Sequence, residues 1–192
     1  MLIAQSKRKE NIAEYLLYMW QVEDIIRASN CDMATIERNV IAHYPLTDEQ
    51  REQVRDWWEG LVMMMRAEGV KEHGHLQINK NVLIRLTDLH LQLMRSDKYP
   101  EYGADFYRTL PYIVELRSKV PDNQQVGELE TCFNALYGVL LLKLQGRDVG
   151  KDTSVAMAQI SHFIGLLAAY FKKNEEQPLF DDDKSYAPSH QT

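Results

Sequence analysis

Polar side chains that interrupt apolar helical stripes are the positions in this 192-residue sequence where chemistry is most plausible. Glu23 continues the apolar stripe of the first predicted helix, and Asn79 and His90 flank the stripe of the fourth helix. In the sixth helix three polar residues recur at helical spacing: Glu130, Asn134 and Tyr137. Buried carboxylates and imidazoles cost free energy unless they find partners, so we expect these groups to form one polar network. The network either orients the helices or lines a small pocket in which the pKa of a Glu or His is altered.

Metal and nucleotide sites are not predicted. His73 and His75 lie in a loop without an obvious third ligand nearby, and Asp88 and His90 point to different sides of one helix. The sequence has no Glu-x-x-His motif of bundled di-iron proteins, no adjacent His-Asp pair, no glycine-rich phosphate loop and no Gly-x-Ser-x-Gly elbow. We therefore expect no metal and no cofactor, a structural or solvent role for the loop histidines, and a function that is not enzymatic.

Charge and cysteine content narrow the class of partner and the compartment. The formal net charge is −6, and the only dense basic cluster, Lys7-Arg8-Lys9, is followed at once by Glu10, so a nucleic-acid partner is not expected. Two cysteines, Cys31 and Cys132, stand far apart and form no disulfide framework. With an N-terminus that does not resemble a signal peptide, these features predict a soluble cytoplasmic protein.

The periodicity of apolar residues predicts an all-α fold. Seven helices are expected, near residues 4–29, 33–43, 48–68, 76–95, 101–119, 126–145 and 153–173. Pro111 keeps helical phase with its neighbours, so the fifth helix is predicted to be one kinked helix. We expect a single multi-helix bundle around the first, fourth, sixth and seventh helices over residues 1–173. Residues 174–192, rich in acidic and polar side chains, are predicted to form a flexible tail.

The seventh predicted helix contains the clearest packing signal. No charged residue occurs from 153 to 171, but polar residues interrupt the middle, so a buried central helix is favoured over a membrane span. Small residues recur every three or four positions: Ser154, Ala158, Ser161, Gly165 and Ala168. Such a stripe lets another backbone approach closely, either within the chain or across a symmetric homodimer.

Four segments carry a resemblance to a known family. They run from Asn11 to Asp24, from Gly74 to Asn81, from Leu86 to His90 and from Leu129 to Gly138. Together they resemble a family of uncharacterised bacterial proteins, found mostly in gut bacteria and catalogued as a domain of unknown function, over nearly all of residues 1–173. The resemblance implies a bacterial cytoplasmic origin and an all-helical fold, and it transfers no catalytic residue.

Two functional hypotheses follow. The first is a non-enzymatic helical module that binds a protein partner or associates with itself, because catalytic motifs are missing and the small-residue stripe is present. The second is an enzyme or small-ligand binder with a pocket near Glu23, Asn79, His90, Glu130 and Asn134. The second hypothesis requires these side chains to converge around an accessible cavity.

Overall fold

The computed structural model describes residues 2–180 of the chain, and every regular element in that range is a helix. The predicted all-α, multi-helix fold is thus confirmed. There are eight α-helices: α1 (Leu2–Glu10), α2 (Ile12–Ala28), α3 (Met33–Asn39), α4 (Asp48–Ala67), α5 (Gln77–Arg95), α6 (Pro100–Ser118), α7 (Glu128–Leu144) and α8 (Lys151–Glu176). Two short 3₁₀ turns, Ile41–His43 and Asp122–Gln124, lie between them.

The eighth helix arises because the predicted first helix is two helices. Asn11 has an extended backbone, with φ −153° and ψ 106°, and its side chain accepts hydrogen bonds from the N–H groups of Ala13 and Glu14. Asparagine is among the best N-cap residues because its side-chain oxygen satisfies N–H groups that have no intrahelical partner. The local cap therefore divides the predicted helix, and α1 and α2 meet at Asn11.

The other helix ends follow local signals in the sequence. Thr47 and Gln50 form the predicted capping box at the start of α4. Pro100 occupies the first turn of α6, where a missing N–H costs nothing, and α6 continues without interruption past Pro111. The N-cap of α5 is Leu76, which has no capping side chain of its own. A residue distant in sequence supplies that cap, as described below.

Helix α8 lies at the centre of the bundle, in contact with α2, α5, α6 and α7. Its large apolar side chains are buried: Ile160, Phe163, Ile164, Leu167 and Phe171. By length and composition α8 is the one helix within residues 2–180 that could cross a membrane, and 44% of its apolar window is buried in the bundle. The central helices of helical bundles have the same length and apolar composition, so the burial of the large side chains of α8 explains its apolar character.

The C-terminal helix extends slightly further than its sequence pattern predicts, to Glu176. Beyond it, the Asn174 side chain accepts a hydrogen bond from the Leu179 N–H at 2.9 Å, and the Phe180 ring lies edge-on to Tyr99 with centroids 5.8 Å apart. The rest of the predicted acidic tail, residues 181–192, lies outside the described residues.

Candidate functional site

A buried carboxylate, Glu23, organises the most elaborate polar cluster of the described chain. Its side chain is fully buried on α2, yet both oxygens have partners. Oε1 accepts hydrogen bonds from the Leu76 N–H at 2.9 Å and from Asn79 Nδ2 at 2.7 Å, and Oε2 lies 2.6 Å from His75 Nδ1. Three N–H donors converging on two oxygens compensate the loss of hydration of a carboxylate anion. Glu23 thereby caps the start of α5 from another helix.

The carboxylate also fixes the orientation of His75. Because an ionised carboxylate only accepts hydrogen bonds, Nδ1 carries the proton of this contact, and Nε2 is the ring nitrogen that Glu23 leaves free. The indole of Trp20 stacks on the imidazole, with centroids 4.2 Å apart and planes 14° from parallel. Side-chain exposure of His75 is 27%. The ring is therefore held from one edge and one face, and no described residue forms a hydrogen bond with Nε2.

Further residues of α2 hold the loop that carries His75. Arg27, one turn after Glu23, donates to the backbone oxygens of Val70 and Gly74 and forms an ion pair of 2.7 Å with Asp24. The Tyr137 hydroxyl of α7 donates to the second oxygen of Asp24 at 2.6 Å. Burial, and then the hydrogen bond to that carboxylate, raise the pKa of Tyr137 above its ordinary value. The loop is thus tied to α2 through Arg27, and α7 is linked to the same arginine through Asp24.

A groove runs from this cluster along α5, between α5 and α7. Next to His75 lies a cavity of about 280 Å³ that Trp20, Asn79 and Lys80 also line. A second cavity of about 470 Å³ continues toward the start of α7. Both cavities share three lining residues, Leu83, Ile84 and Glu130. The two cavities therefore adjoin each other, and together they form what we call the α5–α7 groove, of a size that accepts a small molecule.

His90 lies at the far end of this groove and not in the Glu23 cluster. Its Nδ1 is 2.7 Å from the Tyr102 hydroxyl, and its ring packs edge-on against Phe106 and Phe163. Burial lowers the pKa of His90 to about 4, so the imidazole is neutral at pH 7. His90 also lines the larger cavity, with Thr87, Asp88 and Arg117 nearby.

The six polar residues singled out from the sequence thus separate into groups. Glu23 and Asn79 are hydrogen-bonded, Tyr137 joins them through Asp24, and Glu130 lines the adjoining cavity. The expectation of one network is wrong for His90, whose partner is Tyr102. It is also wrong for Asn134, which is exposed and lines a different depression near Gln125. Asn134 shares a face of α7 with Glu130 but lies one helical turn further along the axis, where it lines the other depression.

His75 is the residue of this site that sequence reasoning did not connect to it. The residue lies 52 positions from Glu23, in a loop without periodicity, and no local pattern predicts the contact. The signal that does exist lies on α2. Trp20, Glu23 and Arg27 recur at i, i+3 and i+7, so they share one face of the helix.

A second buried carboxylate, Asp105 of α6, faces α8 and was also not singled out. Gln159 Nε2 donates to Asp105 Oδ1 at 3.3 Å and to Thr109 Oγ1 at 3.0 Å, and Arg108 donates to Oδ1 at 2.8 Å. The exposed His162 lies 3.6 Å from the same oxygen. This cluster joins α6 to α8 and lines none of the cavities described above.

The small-residue stripe of α8 does not pack within the bundle as a whole. Ser154, Ala158, Ser161 and Gly165 are exposed, and only Ala168 is buried. A side-chain carbon built at Gly165 would meet nothing within 4 Å. Close packing inside the chain is therefore not what these four residues do. They form, with the exposed Val155, an uncharged outer face of the helix.

No group of three His, Cys, Asp or Glu side chains within residues 2–180 is placed to hold a metal ion. His75 is engaged by Glu23, and His73 is exposed.

Comparison with known proteins gives one match. A family model described as "Domain of unknown function (DUF4924)" matches residues 1–178. No curated protein and no solved structure matches the chain. Because the model spans nearly the whole sequence, the chain belongs to the family of this domain of unknown function.

Proposed function

We propose that this protein binds a small organic molecule in the groove between α5 and α7. The observation that carries the proposal is that two cavities adjoin each other at Leu83, Ile84 and Glu130. Apolar side chains in the middle of the groove favour desolvation of a ligand, and polar groups at both ends supply orientation, as is typical of ligand sites. His75, held by Glu23, marks one end, and the neutral His90 marks the other.

Blocking the shared middle of the groove tests this function. Ile84 is 53% exposed, so the substitution Ile84→Trp adds bulk without disturbing the core. In a thermal-shift screen with a fragment library, compounds that stabilise the native protein are expected to lose their effect on this variant. At a ligand concentration of 100 Kd the native protein gains about 2.7 kcal/mol.

The matched control is Val114→Trp, an equally large change at a 58% exposed position of α6 outside the groove. Its response to the same fragments is expected to equal that of the native chain. Fragments that stabilise the Ile84→Trp variant as much as the native protein would show that they bind elsewhere.

A second candidate function is self-association through the outer face of α8. It is supported by the exposure of four small residues and Val155 on a helix that has no charged residue from 153 to 171. Small side chains let two helices approach closely, and the absence of charge removes a desolvation cost. A homodimer through this face would bury an apolar surface that is otherwise hydrated.

Substitutions at two exposed helical glycines distinguish whether the outer face of α8 forms a dimer contact or is solvated. Gly165 of α8 and Gly138 of α7 both have open space where a side-chain carbon would lie. Substituting either with alanine is expected to stabilise the fold by about 0.5–1 kcal/mol, because glycine loses more backbone entropy in a helix. If α8 pairs with its copy, only Gly165→Ala also weakens association in sedimentation equilibrium. A native protein that stays monomeric at all concentrations would rule out this function.

We also propose the cytoplasm as the working compartment. Both cysteines are unpaired and buried, and burial raises the pKa of the Cys132 thiol to about 12. Thiols of this kind are typical of proteins from reducing compartments.

A further inference from the structure

The chemical class of the ligand can be inferred from the polar atoms around the smaller cavity. This inference rests on the proposed binding function of the groove. His75 lines this cavity with its Nδ1 engaged by Glu23. Glu130 lines the same cavity and forms no ion pair with any described residue. A carboxylate without an ion-pair partner in this cavity favours a ligand that donates hydrogen bonds and carries positive charge.

A buried amide at the same cavity also favours a ligand that donates hydrogen bonds. Asn79 is 1% exposed, and its Nδ2 is used by Glu23, but its Oδ1 has no hydrogen-bond partner. An unsatisfied buried acceptor costs free energy, and a donor from a ligand that reached it would remove the cost. The Asn79 Oδ1 atom and the Glu130 carboxylate are both acceptors, whereas a primary ammonium ion has three donors.

The charges along the rest of the groove agree with a cationic ligand. Asp88 and Glu128 line the larger cavity, where Arg117 is the opposing cation, and Lys80 lines the smaller one. Carboxylates therefore outnumber cations along the groove. The exposed apolar side chains of Ile84 and Leu91 lie next to these charges. An apolar body attached to the ammonium group would cover them.

We propose that the groove binds a primary organic amine, with its ammonium group between His75, Asn79 and Glu130 and its apolar body along Leu83 and Ile84. The amine is recognised through its N–H donors and its charge together. A quaternary ammonium ion keeps the charge but has no donor, and an alcohol of the same length keeps the apolar body without the charge. These two analogues separate the contributions.

The test uses hexylamine, hexan-1-ol and hexyltrimethylammonium in titrations of the full chain, followed by methyl NMR signals of Leu83 and Ile84. Hexylamine is expected to have a dissociation constant at least about tenfold below that of either analogue, because charge-assisted hydrogen bonds contribute more than neutral ones. Glu130→Gln is expected to remove this preference. Glu115→Gln, at an exposed position of α6, is expected to keep it.

The outcomes separate this inference from the function on which it rests. Hexylamine and hexan-1-ol binding in the groove with equal affinity would overturn the ammonium assignment while leaving a ligand groove in place. An unchanged preference for hexylamine in the Glu130→Gln variant would also overturn it. Three probes that produce no saturable shift at Leu83 or Ile84 would contradict both the assignment and the groove as a binding site.

Discussion

Replacing Glu23 with alanine is expected to lower the free energy of unfolding by about 3–5 kcal/mol. The substitution removes the acceptor of the Leu76 N–H, of Asn79 Nδ2 and of His75 Nδ1. The first two groups are buried, so the substitution leaves their N–H donors without the partner that compensates their burial. Urea denaturation of the two proteins at the same pH measures the difference.

The control lies on the same helix. Glu14 is 60% exposed and pairs with Lys7 at 3.0 Å, so Glu14→Ala removes a carboxylate and an ion pair without uncovering buried donors. Exposed pairs of this kind contribute about 0–1 kcal/mol. An equal, small loss in both variants would mean that the Glu23 cluster is not a structural centre of the fold.

The second large effect is a loss of stability at acidic pH that depends on His90. Burial lowers the pKa of His90 from 6.5 to about 4, so the folded protein resists protonation that the unfolded chain accepts. The stabilisation is complete above pH 6.5 and is lost progressively as the pH falls from about 6.5 to about 4. The total loss is about 3 kcal/mol, from 1.36 kcal/mol per pKa unit.

The measurement compares the pH dependence of the unfolding free energy in the native protein and in His90→Gln. Glutamine keeps a hydrogen-bonding group near the Tyr102 hydroxyl but does not titrate, so this component of the pH dependence is expected to vanish. His73→Gln, at an exposed loop position, is expected to retain it. Parallel curves for the native protein and His90→Gln would contradict the buried neutral imidazole.

The helices themselves could be predicted from the sequence because their apolar residues keep helical phase. The buried residues of α8 and the cap at Thr47 follow from local patterns that need no tertiary information. The break at Asn11 could not be predicted from periodicity, because residues 5–10 are polar and provide no apolar stripe that would reveal a change of phase. One polar cap was enough to divide the helix.

Only part of the site could be predicted from the sequence. Glu23 and Asn79 were found because polar residues on an apolar stripe need partners, and they are each other's partners. His75 could not be found, since it reaches Glu23 through a loop whose course depends on Arg27 and the Gly74 backbone. The prediction that His90 joins the Glu23 network is wrong because His90 faces aromatic residues of α6 and α8.

The small-residue stripe of α8 shows a different limit. Spacing gives the residues that share a face, but it does not tell which face meets the bundle. The larger residues of α8 take the inner side because they bury more apolar area, and the small residues are left outside.

The central claim, that the α5–α7 groove is the binding site, is tested most directly by mapping a stabilising fragment onto the protein with methyl NMR. We predict saturable shifts at Leu83, Ile84 and Leu129, which line the groove, and none at Val114 of α6 or Val155 of α8. Shifts confined to Val155 and its neighbours, with the groove methyls unchanged, would contradict the claim.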